Sequence, residues 1–143
     1  MPSISDYQAV ITRFNHIFRQ TPDLVIELED ASVTVVKITF YFKSAFYGET
    51  KMRVREWFDA DDNKIQYRYA WEKNNTKPGH ISAWENEHHN IPHGLDTDPH
   101  HHHHVPGDRT QLQANYRTRE LEIALERVEE YIVHNKQYDG RLV

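Results

Sequence analysis

Apolar residues recur at helical spacing near the start of the chain. Tyr7, Val10, Ile11, Phe14, Ile17 and Phe18 share one face, which predicts a helix over residues 5–19. Ser5 supplies a cap for it, and Thr21-Pro22 ends it. The period then drops to two. Leu24 to Glu29 reads as a first strand and Val33 to Lys43 as a second, in which Ile38, Phe40 and Phe42 alternate with polar neighbours. The adjacent Val35 and Val36 break that alternation and predict a bulge. Lys51 to Asp59 and Lys64 to Lys73 follow, the latter with Ile65, Tyr67, Tyr69 and Trp71 on one side. Gly79 to Asn86 makes a fifth strand. The connecting segments at residues 59–63 and 74–79 are turn-forming, so the strands predict an antiparallel meander over residues 24–86. Asp59, Asp61 and Asn63 have the spacing that opens a calcium loop. Lys64 and Ala70 stand where that loop needs Gly and Glu, so the segment reads as a hairpin turn.

Residues 88–114 are polar and interrupted by Pro92, Gly94, Pro99, Pro106 and Gly107, which predicts a long loop. Helical periodicity returns over residues 117–134, with Leu121, Leu125, Val128 and Ile132 as the apolar stripe. The expected fold is α+β: an antiparallel β-sheet of four to five strands flanked by an N-terminal and a C-terminal helix. The 143 residues are expected to form a single domain, 1–143.

Composition narrows the function classes. No stretch approaches the roughly 20 apolar residues that span a bilayer. The start of the chain has neither the basic cluster nor the apolar run of a secretory signal. Cysteine is absent, which excludes disulfide and thiolate chemistry and fits a cytoplasmic protein. The net charge of −5 argues against broad nonspecific binding to nucleic acid. The 11 histidines change that picture with pH, because protonating all of them turns −5 into +6.

Nine of those histidines lie between positions 80 and 104: His80, His88, His89, His93 and the run His100 to His104. Imidazole ligates transition metals and transfers protons near neutrality. In an extended chain His100, His102 and His104 point one way, with Cα atoms roughly 6.6 Å apart, and His101 and His103 point the other. His88 can complete a site across the loop, and Glu85 lies close enough in sequence to ligate or to orient a ring. His100, His102, His104, His88 and Glu85 are therefore the candidate ligands for zinc, nickel or manganese. A solvated loop with incidental metal affinity is the plainer alternative.

If Val54, Tyr67, Tyr69, Trp71 and Ile81 face the core, the opposite sheet face carries Lys37, Lys51, Arg53, Arg55, Trp57 and Arg68. The same parity continues that face through Trp84 and His88. Basic and aromatic side chains on a sheet hold phosphate and stack bases, so Arg53, Arg55, Trp57, Arg68 and Trp84 are candidate RNA contacts. An ordinary solvated face is the alternative.

Three segments carry a family resemblance. Tyr67-Arg68-Tyr69-Ala70-Trp71, Trp84-Glu85-Asn86-Glu87-His88-His89 and Pro99 through the histidine run to Val105 together resemble the TumE-like toxins, over about residues 50–135. Glu85 stands where that family commonly has Asp, and the final run carries one extra histidine. The resemblance implies the toxin of a toxin–antitoxin pair with a helix-turn-helix antitoxin as partner. It does not settle the reaction. The residues point to a histidine-dependent ribonuclease. One of His88 and His89 would be the base toward a ribose 2′-OH, His104 the acid toward the leaving oxygen, and arginines would hold the phosphate. The rivals are a non-enzymatic metal-binding or metal-sensing domain, and an interaction module or homodimer built on the Leu121–Ile132 stripe.

Overall fold

The computed structural model describes residues 4–74, 79–86, 95, 97, 99–103 and 112–139. Helix α1 (Ile4–Arg13) and a short 3-10 turn (Asn15–Ile17) lead into seven strands: β1 (Asp23–Leu28), β2 (Thr34–Tyr41), β3 (Thr50–Phe58), β4 (Lys64–Lys73), β5 (His80–Glu85), β6 (His101–His103) and β7 (Leu112–Ala114). Helix α2 (Leu121–Val133) follows. The strands form one antiparallel sheet in sequence order.

The fold is α+β as expected, with more strands than the four to five predicted. The extra two, β6 and β7, lie inside the segment expected to be a long loop. Polarity and flanking prolines concealed them. His101 to His103 pair instead with Glu85 to Ala83 on one side and with Ala114 to Leu112 on the other. β4 has the predicted bounds. The N-terminal helix is shorter than predicted. Phe14, Ile17 and Phe18 still reach the core, through the 3-10 turn and a bridge from Phe18 to Phe42.

Both helices cover the same sheet face. Tyr7, Phe14, Leu121, Ala124, Leu125, Val128 and Tyr131 pack against Val36, Ile38, Phe40, Met52, Val54, Tyr69 and Trp71. The apolar stripe of α2 is thus spent on the core rather than offered to a partner: Leu121, Leu125 and Val128 are buried and Ile132 packs beside them. Arg13 on α1 pairs with Glu122 at 2.9 Å and Glu126 at 2.8 Å, which ties the helices together. Among the described residues, no helix is long and apolar enough to cross a membrane.

The irregularities sit elsewhere than Val35–Val36, where the register runs unbroken from Thr34 to Tyr41. Val35 is simply buried on the other face. One irregularity lies between β3 and β4: Trp57 faces Gln66 and Phe58 faces Lys64, so Ile65 is the extra residue. Ile65 turns outward, 49 % exposed, and Lys64 swings to the core side. There its Nζ meets the buried Glu56 carboxylate at 3.2 Å and Tyr69 Oη at 3.1 Å. A second lies between β4 and β5, where Trp71 faces Ser82 and Glu72 faces His80, leaving Ile81 extra. Beyond it the parity of β5 reverses. Ile81 and Trp84 both face the core, and Trp84 leaves the basic face to which unbroken alternation assigned it. The 59–63 segment is the expected hairpin turn, with Asp59 Oδ1 accepting from the backbone N–H of Asp61 and of Asn63, each at 2.9 Å.

Candidate functional site

Across the outer face, the register sets five ionisable side chains in one row: Lys37, Arg55, Arg68, Glu85 and His101, one from each of β2 to β6. Neighbours in such a row have Cβ atoms about 5 Å apart. Arg68 Nε donates to Glu85 Oε2 at 2.8 Å, and His101 Nε2 lies 2.8 Å from Glu85 Oε1. His101 Nδ1 lies 2.8 Å from the Pro99 carbonyl. A carbonyl only accepts, so Nδ1 carries a hydrogen, and an ionised carboxylate only accepts too, so the bond to Glu85 needs a hydrogen on Nε2 and a cationic ring. Glu85 and His101 are buried, and Arg68 is partly so. A chain of charge-assisted bonds therefore links the histidine strand to Arg68 of β4.

Arg68 also lines an open cleft of about 250 Å³ with Arg53, Arg55, Trp57 and Gln66. Four of the five predicted substrate contacts are thereby brought together. The fifth, Trp84, is not among them. It lies on the core face, 1 % exposed, stacked on the His102 ring with centroids 5.4 Å apart. Gln66 belongs to the cleft because it faces Trp57 in the register. It precedes the Ile65 bulge in the pairing, so the same alternation that puts Arg68 on this face puts Gln66 there, although its residue type did not single it out.

On the core side of β6, His102 Nε2 lies 2.9 Å from Ser82 Oγ and is hydrogen-bonded to Tyr138 Oη. Ser82 and His102 are fully buried. This serine–histidine contact is sealed under Trp84, Tyr131 and Tyr138, so it holds the strand and meets no substrate. Burial also pushes the Tyr138 hydroxyl above its usual range, which keeps it a neutral donor.

His100, also pointing inward, is placed differently. Its Nδ1 is 2.9 Å from Tyr67 Oη, and the two rings stack at 5.7 Å. Asn115 Nδ2 donates to the same hydroxyl at 3.1 Å. With one lone pair engaged by Asn115, the Tyr67 hydroxyl still has its hydrogen to donate to His100 Nδ1, an arrangement that suits the neutral ring with hydrogen on Nε2. Burial, and then the positive charge of Arg119, His101 and Lys64, hold this imidazole below its ordinary value. Asn115 is itself clamped: its Oδ1 accepts from Thr118 N at 2.9 Å, and its backbone N–H donates to Thr97 Oγ1 at 2.9 Å. Thr97 in turn donates to the His100 carbonyl at 2.7 Å. Short polar side chains far apart in sequence make this clamp, and periodicity carries no signal for them.

Of the predicted metal ligands, Glu85 faces outward while His100 and His102 face inward to different partners. Among the described residues no three ligating side chains converge. His88, His89 and His104, the predicted acid–base residues, lie outside the described residues, and with His88 and His104 so does the rest of the predicted metal set.

A sequence model of the family described as Toxin TumE matches residues 9–136, which extends the likeness from the β4–β6 motifs through α1 and α2. No curated protein and no solved structure gives a significant match.

Proposed function

The chain belongs to the TumE toxin family, and we propose that it acts as the toxin by cleaving RNA with histidines from the 88–104 segment. Membership of a toxin family implies a cognate antitoxin, and we propose that this partner is a helix-turn-helix protein. The observation that carries the ribonuclease reading is the arginine-lined cleft on the outer face, joined through Arg68 and Glu85 to the histidine strand. A phosphodiester in that cleft sits against guanidinium groups that oppose the charge gained during in-line attack. The 2′-oxygen bonds to phosphorus while the bond to the 5′-oxygen breaks. His88 or His89 takes the 2′ proton, and His104 gives a proton to the departing oxygen, leaving a cyclic phosphate and a 5′-hydroxyl. DNA lacks the nucleophile and survives.

The test is purified protein on matched RNA and DNA oligonucleotides from about pH 5 to about pH 9, where imidazole titrates. RNA alone should be cut, with a bell-shaped rate profile. His88→Ala with His89→Ala should lower the rate by about 100-fold or more, and should relieve any growth arrest on expression. Intact RNA at every pH, with and without zinc, nickel or manganese, overturns the ribonuclease reading. Stoichiometric metal in that inactive protein would favour a metal-binding role.

A further inference from the structure

The outer-face cleft has an internal asymmetry of charge. Lys37 pairs with Glu27 at 3.0 Å, Arg53 with Glu72 at 2.5 Å, and Arg68 with Glu85 at 2.8 Å. Glu27 lies on β1, beyond Lys37, and Glu85 on β5, beyond Arg68, so both carboxylates are on the far side of their partners from Arg55. Arg55 is exposed and has no ion-pair partner among the described residues, although it stands directly between Lys37 and Arg68. Like charges opposite one another in a sheet are destabilising. An anion on Arg55 would turn that repulsion into attraction.

Two further groups adjoin this guanidinium. Trp57 follows Arg55 on the same face of β3, roughly 7 Å along the strand at two residues' rise. It is only half-buried, whereas Trp71 and Trp84 are enclosed in the core. Gln66 lies across from Trp57, with an amide that both donates and accepts. Cation, aromatic plane and amide follow one another along the cleft in the order phosphate, base, base edge.

We propose that this cleft is a subsite for one nucleotide: Arg55 binds its phosphate, Trp57 stacks on its base, and Gln66 bonds the base edge. The proposal deepens the RNA reading above, on which it rests, by naming the unit held and by separating Arg55 from Arg53 and Arg68. Those two arginines are already committed to carboxylates and shape the cleft. Stacking on an aromatic side chain tolerates any base, so the subsite selects nucleotides over sugar phosphates before it selects among bases.

The experiment titrates the full chain with adenosine monophosphate, ribose 5-phosphate and inorganic phosphate, by calorimetry and by tryptophan emission. Adenosine monophosphate should bind about tenfold more tightly than ribose 5-phosphate, the increment expected from stacking one base. It should quench an emission component that Trp57→Leu removes. Arg55→Gln should weaken all three ligands and flatten their salt dependence, while Gln66→Ala should weaken only adenosine monophosphate. Unchanged or slightly raised melting temperatures would show that the Arg55→Gln variant is folded. Equal affinity for ribose 5-phosphate and adenosine monophosphate, full affinity in Arg55→Gln, or no nucleotide binding at millimolar concentration overturns the subsite. RNA cleavage without mononucleotide binding removes the subsite alone, and mononucleotide binding without RNA cleavage removes the ribonuclease reading alone.

Discussion

His101 and His102 are neighbours in β6, both fully buried, and they meet opposite surroundings. His101 turns to the outer face and enters an ionic chain with Glu85 and Arg68. His102 turns to the core and meets two hydroxyls and the plane of an indole. A histidine run thus fills two environments at once, because a strand alternates its side chains and imidazole is both polar enough for a carboxylate and flat enough for stacking. Burial alone does not separate the two. What separates them is the cost of removing a partner: an uncompensated charge on one side, an unmade neutral hydrogen bond on the other.

The largest effect should come from the ionic side. Glu85→Ala leaves Arg68 and His101 without their shared carboxylate and should destabilise by about 3 kcal/mol, since breaking a buried ion pair exposes the desolvation cost it had offset. Urea unfolding measures this. A loss below about 1 kcal/mol would place His101 in the same class as His102. Next comes the neutral side. Tyr138→Phe keeps the ring and removes one hydroxyl shared by Ser82 and His102, so it should cost about 1 kcal/mol in the same assay. Equal losses for the two variants would erase the distinction. The smallest effect is a slope with pH. His100 has its folded-state value held below 6.5, so below about 6.5 the unfolded chain takes up a proton that the native chain resists. Stability should fall as pH drops from about 6.5 through the lowered value, and His100→Gln should reduce that fall. A slope unchanged in the variant would assign the pH dependence to other histidines.

How far the sequence reached can be judged at single residues. Periodicity located the two helices and the strands through β5 because each buries one apolar stripe against the same core. It failed where one inserted residue reverses a face. Ile65 and Ile81 are each unremarkable apolar residues in an alternating strand, yet they decide that Lys64 meets Glu56 inside and that Trp84 leaves the arginine face. The paired Val35 and Val36 suggested a bulge where both sides of β2 are merely covered. Arg53, Arg55, Trp57 and Arg68 could be grouped correctly because no irregularity intervenes between Arg53 and Trp57 or between Gln66 and Arg68. The histidine strand was illegible as a strand because its stability comes from partners at 85, 82 and 138, and no local pattern encodes such distances.

The meander has a kinetic corollary. Every strand pairs with the one before it, so the sheet can grow by short closures, hairpin upon hairpin. The helices are the reverse case: Arg13 and Glu126 join segments 113 residues apart. Closing so long a loop in an unordered chain costs about 4 kcal/mol of entropy, whereas a sheet already formed holds both helices beside their common face. Assembly is therefore cheapest from the middle outward. On the ribosome, where α1 emerges before the sheet and α2 after it, the first helix must wait for the whole meander before that partner exists.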